Sequence, residues 1–284
     1  MRIFTHIFIL LSLLIFPQSN MLASSEPFYN NIDYSNIDLI GIVKSKGKGE
    51  YKLRTVQPFS VDKNNGDTIF YQGMIGNFNQ FGKYRIGTNL GLGFRNFNDD
   101  YSTMYGYNFF FDSEPDPGHH RVGLGFELKQ SRFGIANNYY KGLTGKKSYG
   151  VSGMKEEVLD GIDIIISGLI PRFNWIETDL SYAYWDSITS SDLYEVKVGL
   201  NFNISDNLTL NLQVEDDNVN STSYNAGFSF NFGGRKSNGV SLMGSNQDMV
   251  SEDMRKQNLV PVKRSEKITL EQTGGFTVKV KKSG

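Results

Sequence analysis

Two of the chain's three histidines, His119 and His120, stand side by side. Imidazole is the commonest metal ligand and titrates close to neutrality. A metal centre needs three or four such ligands at workable spacing, and none flanks this pair. It follows Pro117 and Gly118, so it reads as turn or lumen residues at the start of a strand. The serines lack the elbow motif that presents a nucleophile. A Ser, His and acid brought together across strands stays open as an alternative. Gly87, Gly91 and Gly93 have the composition of a phosphate loop, but they alternate along a strand and open no helix. They read instead as positions that clear lumen space or bend the strand. Asp99–Asp100 and Asp216–Asp217 read as solvated turn pairs, without the ligand spacing of a calcium loop. The chain has no cysteine, which removes thiolate metal sites and disulfides. No catalytic residue, metal or cofactor is expected.

The elements that would position any such residue are strands. In YRIGTNLGLGFR, the even positions Tyr84, Ile86, Leu90, Leu92 and Phe94 are apolar, with Thr88 among them. The odd positions Arg85, Gly87, Asn89, Gly91, Gly93 and Arg95 are small, polar or charged. Strand side chains alternate between two faces, so this segment has two chemically opposed sides. RVGLGFELK, LYEVKVGLNFNI, LTLNLQVE and YNAGFSFNF repeat the pattern, with turn residues between them. Strands are expected near 51–58, 68–76, 83–95, 102–112, 120–130, 132–142, 158–170, 175–186, 192–204, 207–216 and 222–233. Single-chain membrane barrels have even strand numbers. A twelfth strand is therefore sought, with Tyr149–Met154 as its candidate.

Alternation alone does not say which face is inside, and a soluble barrel around an apolar ligand stays an alternative. Length favours the inverted arrangement. Ten steps from Tyr84 to Phe94 span roughly 33 Å at about 3.3 Å each. Tilted near 45°, they rise about 24 Å, close to the roughly 25 Å apolar band of membrane barrels. Tyr84 and Phe94 then fall at the two interfaces. The polar parity carries Arg85, Arg95, Arg121, Glu127, Lys129, Glu177, Asp179, Glu195, Lys197 and Glu215, which predicts a wet lumen of mixed charge. Trp175 and Trp185 share the parity of Glu177 and Asp179. On this reading Leu90→Arg disturbs assembly and Asn89→Arg, one residue away, is milder.

At the amino terminus, Met1 and Arg2 precede an apolar run, Ile7 to Phe16, and the small residues Ala23, Ser24 and Ser25. This is the layout of a secretory signal, too short to span a membrane as a helix. The boundaries expected are a signal over 1–24, a periplasmic segment over 25–49, a barrel over 50–233 and a linker with a basic tail over 234–284. The mean hydropathy of −0.36 fits a barrel whose strands are half wet. The net charge of −1 hides a tail with eight Lys or Arg against two Glu from Arg255 onward. An exported chain without a recognition module is not a nucleic-acid binder. After Gly233 a Gly/Ser-rich linker precedes SNQDMVSEDMRKQ, which reads as a short helix with a capping box at Ser245 and Asp248. GGFTVKVKKSG could add a strand. Lys263, Arg264 and Lys267 are expected against lumen carboxylates.

The strings FYQGMIG, GTNLGLGFR, YGYNFFFD, HHRVGLGFE, NNYYKGLTG, DGIDIIISGLIP and VGLNF, in that order, resemble the β-domain of the inverse autotransporters, the intimin and invasin group. MVSEDMRKQNLVPVKRSEKITLEQ is similar to that family's post-barrel segment, with Leu259, Val260, Arg264, Ile268, Leu270 and Glu271 matching. Its usual aromatic and Asn pair are not matched. The resemblance implies a twelve-stranded outer-membrane barrel, a linker that threads the pore, and the barrel-assembly machinery and periplasmic chaperones as partners beside the lipid bilayer. It implies a translocator. Only thirteen residues follow Glu271, so a sizeable passenger is expected to be missing. A porin-like barrel plugged by its own tail is the alternative.

Overall fold

The computed structural model describes residues 36–148, 153–220, 222–234 and 252–274. The expected signal, the Ser245–Asp248 capping box and the strand proposed beyond Gly274 lie outside them, as do residues 149–152 of the candidate twelfth strand.

Twelve antiparallel strands close into a barrel, each paired with the next around the ring. The first seven are β1 (Ile37–Lys44), β2 (Glu50–Val61), β3 (Thr68–Gln80), β4 (Lys83–Phe97), β5 (Thr103–Glu114), β6 (His119–Gln130) and β7 (Phe133–Gly142). The connection 143–159 carries two short strands, β8 (Lys147–Ser148) and β9 (Lys155–Val158). The ring resumes with β10 (Asp160–Ile170), β11 (Phe173–Asp186), β12 (Leu193–Asn203), β13 (Leu208–Asp217) and β14 (Ser223–Asn231). β14 pairs with β1, which leaves no sheet edge in the ring. A single 3-10 turn, Met254–Gln257, and β15 (Leu270–Thr273) follow. β15 joins β9 and β8 in a separate three-stranded sheet.

Every strand expected from alternation is present within a few residues. One boundary needs correction. The twelfth strand is Ile37–Lys44, so 37–49 belongs to the barrel and not to a periplasmic segment. Its sequence, IDLIGIVK, breaks the alternation. Ile40, Ile42 and Lys44 face the lumen, while Gly41 sits on the outer face beneath the Phe228 ring of its partner strand. A period-two reading fails where apolar residues occupy both faces, and only closure onto β14 reveals the strand. Of the expected post-barrel helix only 252–257 is described, and there Met254–Gln257 forms the 3-10 turn, with Asp253 as its cap through a 3.0 Å bond from the Arg255 amide.

The faces are inverted relative to a soluble barrel. Leu90, Leu92, Leu124, Val198 and Leu212 are 49–58% exposed on the outside, whereas Arg95, Arg121 and Asp112 are fully buried inside. A soluble protein has no reason to present such a continuous apolar belt, and lipid does. Tyr84 and Phe94 are exposed near opposite ends of β4. Closure satisfies the backbone groups that lipid cannot hydrate.

Candidate functional site: the occupied lumen

Both barrel termini, Ile37 and Asn231, lie at one end, with the turns after β2, β4, β6, β10 and β12. The other end carries the connection 143–159. Residues 252–257 lie at the first end. Glu252 donates its amide to Ser131 Oγ at 2.7 Å, and Met254 donates to the Tyr101 carbonyl at 2.8 Å. From Asn258 the chain enters the barrel and rises through it as an irregular thread, with a turn at 258–259 and bends at Val260, Arg264 and Lys267. It emerges as β15, paired with β9.

The thread's contacts climb the wall in order. Asn258 Nδ2 donates to Thr68 at 3.1 Å, and Arg95 Nη1 donates to the carbonyls of Asn258 and Val260 at 2.7 and 2.8 Å. The Val262 amide donates to Gln72 Oε1 at 2.9 Å. Leu259 and Val262 pack on Val56, Phe70 and Phe110, an apolar patch within the lumen. Lys263 Nζ reaches Glu177 at 2.9 Å and Asp179 at 2.6 Å. Arg264 grips Asp112 with both nitrogens, at 2.9 and 2.7 Å. The Ser265 amide donates to Tyr140 Oη at 2.8 Å. Glu266 accepts from Lys52 at 2.9 Å and from Arg54 at 3.0 Å. Gln80 Nε2 donates to the Ile268 carbonyl at 2.6 Å. Lys267 departs from the carboxylate contact expected of it and donates to the Asn79 carbonyl at 2.7 Å.

Of the ten sequence-derived residues, Arg85, Arg95, Arg121 and Glu127 are buried, and Lys129, Glu177, Asp179, Glu195, Lys197 and Glu215 border the internal cavity. Arg85 is forked onto Glu156 of β9 at 2.7 and 2.6 Å, which ties the outer sheet to the barrel. Arg95 pairs with Glu127 at 2.7 Å, and Arg121 with Asp112 at 2.7 Å. Lys129 lines the lumen. Glu177 and Asp179 hold Lys263. Lys197 pairs with Glu195 at 2.7 Å, and Glu215 accepts from Asn225 at 3.3 Å. These last three lie on the β12–β13 wall, away from the thread's bonds. Together they border a cavity of about 2010 Å³.

Pattern reading missed Asp112, Lys52 and Arg54, and also Asp163, which accepts from Tyr140 Oη and from Asn138 Nδ2, both at 2.7 Å. Asp112 shares parity with Asn108 in YGYNFFFD, and that parity was the available signal. Phe110 sits between them on the same face and masked it. The glycines also need a corrected role. A Cβ at Gly93 would overlap the Phe70 ring, and one at Gly91 the Phe110 ring. They clear space for aromatic rings laid flat on the wall, not for the thread itself. Those rings then seat cations, Arg95 at 4.4 Å from Phe70 and Arg264 at 4.1 Å from Phe110. Asn89 is not a spare lumen position either. It donates to Asp112 at 2.6 Å and to the Glu266 carbonyl at 3.1 Å, so an arginine there would be costly. His119 is buried 3.5 Å from Glu156, while His120 stacks on Phe111. Trp185 is buried against Tyr140 and Leu159.

Residues 24–266 match the family described as inverse autotransporter, beta-domain. The chain belongs to that family. Its barrel is an outer-membrane barrel, with the apolar belt against lipid. A 99-residue stretch is 30% identical to the putative attaching and effacing protein homolog of Escherichia coli (strain K12), over 34% of this chain and 33% of that protein. This chain thus aligns with only about a third of that relative's length. Among solved structures, one described as "Unveiling the Mechanism Behind the in-meso Crystallization of Membrane Proteins" superposes with a TM-score of 0.66 at 20% identity, over 84% of this chain and 100% of that one. It shares the fold. The KdgM porin superposes more loosely, with a TM-score of 0.46 at 11% identity, over 69% of this chain and 99% of that one.

Proposed function

We propose that this inverse-autotransporter barrel is the translocator of a polypeptide joined to its own carboxyl end, and that residues 258–269 occupy the export path. One observation carries this reading: the segment after the barrel enters at the end holding both barrel termini and leaves at the opposite end. In outer-membrane barrels the short-turn end faces the periplasm and the longer loops face outside. The connection 143–159 then marks the exterior, and β15 is the first exported strand. The wall supplies donors and acceptors to the crossing backbone at several levels, from the Asn258 carbonyl to that of Ile268. The work is conduction of a chain, with no bond made or broken. Its partners in this reading are the bilayer, the chain's own tail and, by family resemblance, the assembly machinery and chaperones.

An epitope fused after Gly284 tests it. Antibody should bind intact cells. Binding only after the outer membrane is permeabilised refutes export. The polar cavity beside the thread favours a second reading, a self-plugged barrel with porin-like leakage, and that reading predicts the second result.

A further inference from the structure

We infer that Arg264 sets the register at which the threaded chain stops, by docking into a cage built from Asp112, Arg121, Phe110 and Tyr140. The inference rests on the thread being an export path, and deepens that reading.

The thread is held by two kinds of contact. Arg95 bonds carbonyls, and Gln72 bonds an amide. Every residue but proline offers those groups, so such contacts hold a chain without choosing which residue stands where. The side-chain contacts do choose. Arg264 is the most completely enclosed of the thread's ion-pairing side chains, 1% exposed against a fully buried Asp112. A guanidinium matches a carboxylate bidentately, which fixes orientation as well as charge. The ring of Phe110 lies beneath it, over Gly91. Arg121 holds the other side of the cage, donating from Nε to Asp112 at 2.9 Å and from Nη2 to the Ser265 carbonyl at 2.8 Å.

Neighbouring registers fail at this cage. The thread's own contacts define the wall sites: Glu177 and Asp179 at position 263, Asp112 at 264, and Lys52 and Arg54 at 266. A step of two outward brings Val262 to Asp112 and Arg264 to Lys52 and Arg54. That leaves an apolar group on a buried carboxylate and gathers three cations. A step of two inward brings Glu266 to Asp112, carboxylate against carboxylate, and Ile268 to the two cations. A step of one outward puts Lys263 at Asp112 but Val262 at Glu177 and Asp179 and Ser265 at Lys52 and Arg54, whereas a step of one inward puts Ser265 at Asp112 and Lys267 beside Lys52 and Arg54. The sequence around Arg264 is therefore readable by the wall in only one position. A polypeptide without this pattern passes the cage without finding a matched stop.

Register can be read by cross-linking, because the chain has no native cysteine. In the native background the pair Thr68→Cys and Asn258→Cys should oxidise, since those side chains meet at 3.1 Å. Pairing Thr68→Cys with Lys256→Cys or Val260→Cys should give little product. Arg264→Ala should lower the ratio of 258 to 256 and 260 products by about tenfold or more. The decisive variant moves the arginine, as Val262→Arg with Arg264→Val. If Arg264 sets register, the thread shifts outward by two and Thr68→Cys now captures position 256. Retention of the 258 product in that variant overturns the inference. Heat-modifiable mobility confirms that each variant has a formed barrel before it is scored. The epitope assay separates the two ideas. Surface epitope with an unmoved cross-link removes the register lock alone, whereas a moved cross-link with no surface epitope removes export alone.

Discussion

Placing an arginine on adjacent residues of β13 tests the inverted barrel most directly. Leu212 is 50% exposed on the outer face near the middle of the strand, paired with Leu200 and Ala226. Gln213 points the other way, between Gly199 and Asn225, on the wall bordering the cavity. An arginine at the lipid-facing midplane costs about 2–4 kcal/mol. At 1.4 kcal/mol per factor of ten, that is roughly a 30- to 700-fold loss in the folding equilibrium. Gln213→Arg removes a long 3.4 Å hydrogen bond from Asn225 and adds a cation two residues from Glu215. Its side chain stays in water, so a change within about 0.5 kcal/mol is expected. Urea titration of the barrel in lipid vesicles, read by heat-modifiable mobility, measures both. Equal destabilisation, or a larger loss at Gln213, would refute the assignment of faces. This pair is more informative than Leu90 and Asn89, because Asn89 is already committed to Asp112 and the thread.

Three further outcomes follow. Asp112→Ala leaves Arg121 and Arg264 buried without their carboxylate, a loss of about 3–5 kcal/mol that should appear as a lower urea midpoint and a protease-sensitive thread; an unchanged midpoint would refute the cage. Gly93→Leu must displace Phe70 and should cost about 1–3 kcal/mol by overpacking, whereas Gly199→Ala, with its nearest neighbour at 3.7 Å, should be silent in the same titration. Glu271 is opposed by burial, but hydrogen bonds from Thr189, Ser190, Ser187 and the Ile188 amide outweigh it and hold its carboxyl down at about 2, below the ordinary 4.5. A depressed carboxyl stabilises above its unfolded value and loses that contribution as pH falls through the folded one. The dock of β15 on loop 187–192 should therefore stay closed from pH 7 to near 4.5 and open toward pH 2. Hydrogen exchange of that loop reads it, and opening near pH 6 would contradict the assignment.

Alternation made the barrel legible because lipid and lumen impose opposite chemistry on neighbouring residues, and eleven strands carry that imprint. The charged positions on the polar parity are buried or border the cavity for the same reason. β1 escaped because Gly41 and Ile40 break the two-residue rule, a local exception rescued by Phe228 from the far end of the barrel sequence. The glycines were visible, but their purpose depends on rings contributed by β3 and β5.

What the sequence determined by itself is the periodic part: all-β class, strand positions, a polar inner face and a basic segment after the barrel. Those properties are local, written in side chains a few residues apart. Only the tertiary structure decided which carboxylate meets which cation. Arg264 and Asp112 are separated by 152 residues, and Glu266 and Lys52 by 214. Closing the ring fixes the wall, and the path of the thread then brings these groups together. No periodicity encodes that distance, because the pairing is set by barrel closure and by the depth at which each thread residue comes to rest.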